Sequence, residues 1–117
     1  MVSEHEVGIF LKDFKNKMTI WDVLFRDDRG KNTQALADLE LRPIDRKHIL
    51  EKLVTSDYSE GPLEEKLIGG AEMWVFGREV MKNEVYIKIS MGCPDSSVIC
   101  ISFHLAEHPM VFPYKKH

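Results

Sequence analysis

The sequence predicts an α+β fold, with N-terminal helices packed on one face of a mainly antiparallel sheet. Three observations carry that expectation. The first twenty residues place apolar side chains at helical spacing. The segments Glu84–Ser90 (EVYIKIS) and Ser97–His104 (SVICISFH) alternate apolar and polar residues, as half-buried strands do. Between these regions Met73-Trp74-Val75-Phe76 is continuously apolar, which suits a strand covered on both faces.

Each element has a local reason. Ser3-Glu4-His5-Glu6 matches a capping box, in which Ser3 accepts from the third helical amide and Glu6 reaches back. Val7, Phe10, Leu11, Phe14 and Met18 then form the inner stripe of a first helix. Ile20–Phe25 reads as a short strand with Trp21, Val23 and Phe25 on one side, ended by the turn residues Asp27-Asp28-Arg29-Gly30. Asn32 or Thr33 is placed to cap a second helix carrying Leu36 and Leu39. Pro43 pre-sets a third, with Asp45 near its positive end and Ile49, Leu50 and Leu53 inward. Ser56–Gly70 holds three of the seven glycines and one proline, and reads as a long loop with one helical turn around Leu63. Gly77 marks a bend or bulge, Lys82-Asn83 a turn, and Met91–Ser97 a second turn joining the last two strands.

At 117 residues the expectation is a single domain spanning 1–117. The net charge of −3 supplies no global attraction to nucleic acid or acidic membranes, so any polyanion site must be a local patch. Cys93 and Cys100 are too few to staple a fold, and point to free thiols in a reducing cytoplasm. The acidic start MVSEHEVGIF lacks the pattern of a secretory signal, and no apolar run reaches membrane-spanning length. A cytoplasmic protein without a membrane partner is expected.

Chemistry concentrates on the two alternating strands. Val85, Ile87 and Ile89 share one side of the first, and Ile99, Ile101 and Phe103 one side of the second, so these six are assigned to the core. Their opposite sides display Glu84, Tyr86, Lys88 and Ser90, then Cys100, Ser102 and His104. Joined as a hairpin, the strands bring Tyr86, Lys88, Ser102 and His104 onto one surface. Two readings stand: a solvated sheet face, or a site for phosphoryl-ester chemistry. Metal-free RNA cleavage needs a base for the 2′-hydroxyl, an acid for the leaving 5′-oxygen and positive charge beside the phosphate. Histidine exchanges protons near neutrality, lysine supplies charge, and tyrosine donates a hydrogen bond or stacks on a base.

The stretch His104-Leu105-Ala106-Glu107-His108 spells H-x-x-E-H, a zinc-peptidase pattern. That motif works on a helix, whereas here His104 ends a strand and Pro109 biases His108 toward extended backbone. No metal or cofactor is therefore assigned. His108 either joins Lys115 and Lys116 in a phosphate-binding patch or caps a loop facing water. Arg26 either pairs with the adjoining Asp27-Asp28 turn or reaches a phosphate with its planar fork. Trp21 and Trp74 are assigned to the core, and His5 and His48 to helix surfaces.

Asn83–Ile89 and Val98–His104 resemble the last two strands of the motility quorum-sensing regulator toxins, bacterial mRNA interferases with a RelE-like fold. Asn32–Leu41, Ile49–Tyr58 and Met73-Trp74 resemble further segments of that family in the same order, so the likeness runs from about Phe10 to His104. It implies a toxin of a type II toxin–antitoxin system, an endoribonuclease that cleaves single-stranded mRNA and is neutralised by a cognate antitoxin protein. Tyr86 matches the family's active-site tyrosine, Lys88 the lysine two positions on, and His104 stands where a lysine is usual. The catalytic assignment is Tyr86, Lys88 and His104, with Arg26, His108 and Lys115 as RNA-binding candidates. Glu60 stands near the family's loop lysine and Val75 in place of a glutamine, and Leu105–His117 extends past the usual end. These departures leave a non-catalytic partner-binding domain of the same fold as the alternative, and an enzyme using the same face on another small substrate as a third.

Overall fold

The Ser3 hydroxyl accepts from the Glu6 amide at 3.2 Å while the Glu6 carboxylate accepts from Ser3 N at 3.3 Å, so the expected capping box forms. It opens α1 (Glu4–Trp21) in a computed structural model that describes residues 2–64 and 71–115. Val7, Phe10, Leu11, Phe14 and Met18 are buried along its inner stripe. α1 continues through Ile20 and Trp21, which sequence alternation had assigned to a strand, and stops at Asp22 with φ of 67°. Trp21 is consequently 45% exposed on the last helical turn, which corrects its assignment to the core. The strand that follows, β1, keeps only Val23–Phe25.

α2 (Gly30–Asp38) begins earlier than a cap at Asn32 or Thr33 would require. Asn32 instead lies within its first turn and is buried, with its side chain turned to the sheet. α3 (Pro43–Glu51) starts on Pro43 as expected, and Asp45 accepts from the Arg42 amide at 2.8 Å. A 3-10 turn at Thr55–Asp57 leads to β2 (Tyr58–Leu63), then come β3 (Met73–Val80), β4 (Asn83–Ser90) and β5 (Val98–Leu105). β2 corrects the loop expected over this stretch, and Leu63 pairs with Met73 rather than making a helical turn. Gly61 and Pro62 looked like loop residues, yet an edge strand tolerates both, because one of its sides has no ladder to complete. Positions 65–70 of the expected loop lie outside the described residues.

The sheet order is β1-β5-β4-β3-β2, antiparallel except for the β1–β5 pair. Helices cover one face. There Trp74 stacks on Phe10 with centroids 4.3 Å apart, and Phe76, Val85, Ile87, Ile89 and Phe103 complete the core with α1, Leu50 and Leu53. Trp74 thus sits in the core as expected. A stacked aromatic pair of this kind contributes about 0.5–1.5 kcal/mol beyond its buried area.

β5 departs from simple alternation. Lys88 pairs with Ser102 but Ile89 pairs with Cys100, so Ile101 is an extra residue with no partner on β4. Such a bulge inverts the faces on its far side. Cys100 therefore enters the helix-side core, whereas Ile101 packs with Met73, Leu63 and Ile99 in a small cluster of its own. This corrects two expectations: Cys100 does not share the polar surface, and Ile99 and Ile101 do not share the side of Phe103.

Candidate active site

The register that matters survives the bulge. Tyr86 lies directly opposite His104, and Lys88 directly opposite Ser102. Paired residues on an antiparallel ladder project to the same face, so the four side chains meet on the surface away from the helices. There they line a cavity of about 690 Å³. His104 is half-buried and lines the cavity.

The rings of Tyr86 and His104 stack with centroids 5.3 Å apart and planes inclined by 15°. Lys88 Nζ lies 5.8 Å from the Tyr86 centroid, within reach of a weak cation–π attraction. Among the described residues Lys88 has no carboxylate partner. His104 Nδ1 is 2.9 Å from the Leu105 carbonyl oxygen, which can only accept. Nδ1 therefore carries the proton in the neutral ring, and Nε2 presents the lone pair. Burial, and then the charge of Glu60, raise the Tyr86 phenol above its ordinary value, so it stays a hydrogen-bond donor well past neutrality.

Two segments wall this face. On one side stands the first turn of α2, with Arg29, Gly30 and Lys31 on the cavity. It is fixed by Asn32, whose Nδ2 donates to the Ile101 and Arg26 carbonyls at 2.9 Å each and whose Oδ1 accepts from Phe103 N at 3.0 Å. The side-chain amide thus takes over the bonds that β1, three residues long, is too short to make. On the other side the C-terminal segment crosses the sheet over Gly77. A Cβ there would lie 2.7 Å from Met110 Sδ and 2.8 Å from the Phe112 ring, so glycine lets these two side chains lie directly on the strand. Gly77 is accordingly a crossing point inside β3, with continuous pairing to β4, and not the expected bend or bulge. Ser59 Oγ donating to the Val111 carbonyl at 2.8 Å, Met110 N donating to Glu84 Oε1 at 3.1 Å, and a Tyr114 hydroxyl bond to the Val2 carbonyl hold the segment in place.

The binding candidates divide. His108 lines the cavity with Tyr86, Lys88 and His104. Arg26 does not line it, and its guanidinium forms a two-point pair with Asp28 at 3.0 Å per contact. Lys115 lies in a separate cleft with Arg78, Glu79 and Lys82, its Nζ 5.5 Å from the Phe112 centroid. The tail crossing at Gly77 parts it from His108, so the patch expected from the two together does not form; Lys116 lies outside the described residues. Arg29, Lys31 and Met110 were missed as cavity residues, because only the docking of distant segments brings them here. Ser102 was legible on the shared face, but the opening of its hydroxyl to the cavity was not. Asn32 did carry a signal, as a polar residue on the inner stripe of its helix.

Charge around the cavity is mixed. Glu107 pairs with Lys31 at 2.7 Å, and that contact holds its carboxyl below the usual range. Glu60 pairs with Val75 in register, on the same row as Lys88 and Ser102. Among the described residues no three histidine, cysteine or acidic side chains are grouped to share a metal ion, and no helix is long and apolar enough to cross a membrane. No family model, curated protein or solved structure matches this chain.

Proposed function

We propose that this chain is an endoribonuclease acting without a metal on single-stranded mRNA, a toxin of the type II toxin–antitoxin kind held in check by a cognate antitoxin protein. The observation that carries the reading is the cross-strand register that sets a phenol, an ammonium and an imidazole around one cavity. In this reaction the 2′-hydroxyl attacks the adjacent phosphorus, the 5′-oxygen leaves with a proton, and a 2′,3′-cyclic phosphate and a free 5′-hydroxyl result. His104 exchanges the proton through Nε2, since Nδ1 is committed to the Leu105 carbonyl. Lys88 offsets the extra negative charge of the pentavalent phosphorus. Tyr86 keeps its proton and donates to a phosphate oxygen, while its ring, packed on His104, holds the imidazole plane.

A second reading keeps the fold and drops the nuclease. Ile20, Trp21 and Leu24 are 73%, 45% and 52% exposed at the junction of α1 and β1, a surface suited to a protein partner. Primer extension on RNA incubated with purified protein and a chelator separates the two. Discrete cuts that persist with the chelator support the nuclease. Intact RNA at high enzyme concentration leaves the partner-binding domain.

A further inference from the structure

Lys88 and His104 account for only part of the cavity. Opposite Lys88, Ser102 is 3% exposed and lines the cavity, yet its hydroxyl has no hydrogen-bond partner among the described residues. Beside it stands the N-terminus of α2, a nine-residue helix with no side-chain cap. The Asn32 amide donates to the Arg29 carbonyl at 3.1 Å, but the amides of Gly30 and Lys31 have no acceptor among the described residues. The Lys31 side chain is engaged by Glu107, and nothing lies within 4 Å of where a Cβ on Gly30 would stand. Asn32 bonds to Ile101 and Phe103, the two neighbours of Ser102, so this first helical turn is pinned beside that hydroxyl.

Two amides without a protein acceptor at a positive helix end, a hydroxyl open to the cavity and an ammonium without a carboxylate partner are all donors, and together they call for an anion with several acceptor oxygens. We infer that the first turn of α2, Ser102 and Lys88 form a phosphate-binding subsite, which receives a phosphate group whether or not the chain cuts the ligand that carries it. The phosphate comes either from a diester of a single-stranded polynucleotide or from a terminal monoester. The carboxylates Glu60 and Glu107 line the same cavity; Lys31 neutralises Glu107, and Glu60 stands two strands from Lys88 on the same row.

Backbone amide NMR on the full chain tests this with two probes: inorganic phosphate, and a short all-2′-deoxy oligonucleotide without terminal phosphates. Saturable shifts at Gly30 and Lys31 are expected with inorganic phosphate. The same shifts with the oligonucleotide identify the diester as the source, and their absence there identifies the monoester. Gly30→Pro deletes one amide at the first helical position, where proline is favoured, and Arg29 already holds the extended backbone proline requires before it (φ −92°, ψ 121°). Gly30→Pro and Ser102→Ala are each expected to weaken phosphate binding about tenfold, the scale of one hydrogen bond to a charged group. Absence of shifts at Gly30 and Lys31 with both probes overturns the subsite, as does full affinity in a folded Gly30→Pro. Phosphate binding without RNA cleavage would retire the nuclease alone, and cleavage without these shifts would retire the subsite alone.

Discussion

Tyr86 and His104 face each other across the β4–β5 ladder with their rings stacked 5.3 Å apart. The contact makes the phenol a support for the imidazole, so that removing either one disturbs the other. It also occupies one face of the tyrosine ring, which favours a phosphate-orienting role over stacking on a base.

If the cavity cuts RNA, His104→Ala and Lys88→Ala should each lower the initial rate about 10²- to 10⁴-fold, the usual contribution of a positioned proton-transfer group or counter-charge. Tyr86→Phe keeps the stacking and loses only the hydroxyl, and should cost less than either. Rates on a fluorescent single-stranded RNA measure all three. Near-normal cleavage by His104→Ala would remove the histidine from the mechanism.

The Asn32 side chain is the clamp between α2 and β5. Asn32→Leu keeps the volume but leaves the Phe103 amide and the Ile101 carbonyl unpaired in a buried place. Each unsatisfied group costs about 1–3 kcal/mol, so urea unfolding should show a loss of about 2–6 kcal/mol. An unchanged midpoint would mean that the two groups find water or other partners.

Gly77→Ala tests the tail crossing. Its methyl group would meet the tips of the Met110 and Phe112 side chains below 3.0 Å, so those side chains must shift and loosen the segment's packing on the sheet. The expected cost is about 1 kcal/mol, the low end for overpacked sites, because side-chain tips and not backbone yield. Hydrogen exchange should rise at Met110, whose amide bonds to Glu84, and the cavity should open on that side.

Alkaline stability should depend on Cys100. Burial pushes its thiol far above the ordinary 9.0, with Arg46 opposing that shift and Asp27 adding to it. The folded state therefore keeps the proton that the unfolded chain releases. Stability from this group is complete below pH 9.0 and falls as pH rises, by about 1.4 kcal/mol per unit, until the folded thiol also ionises. Cys100→Ala should flatten the decline of unfolding free energy above pH 9 relative to the wild type. Parallel curves for the two proteins would contradict the burial argument.

Local rules were enough for the parts of this molecule that depend on neighbours in sequence. Ser3 and Glu6 cap α1 because they are three residues apart. Tyr86 and Lys88 share a face because strands repeat every two residues, and Ser102 and His104 do for the same reason. With the hairpin between them, that periodicity placed the central trio on one surface without any knowledge of the core. Contacts between distant segments decided the rest. The bulge at Ile101 inverted the faces of β5, sending Cys100 inward, because the backbone yielded where pairing with β4 and packing against Met73 competed. β2 became a strand despite Gly61 and Pro62 because β3 offered it an edge. Arg46, a helix cation by sequence, is buried over Phe25 at 4.0 Å and bonded to Asp27, since a guanidinium with both needs met can leave water. The cavity itself, with α2 on one side and the tail over Gly77 on the other, exists only through those long-range meetings. Periodicity assigns a side chain to a face, but what covers that face depends on which remote segments fit against it.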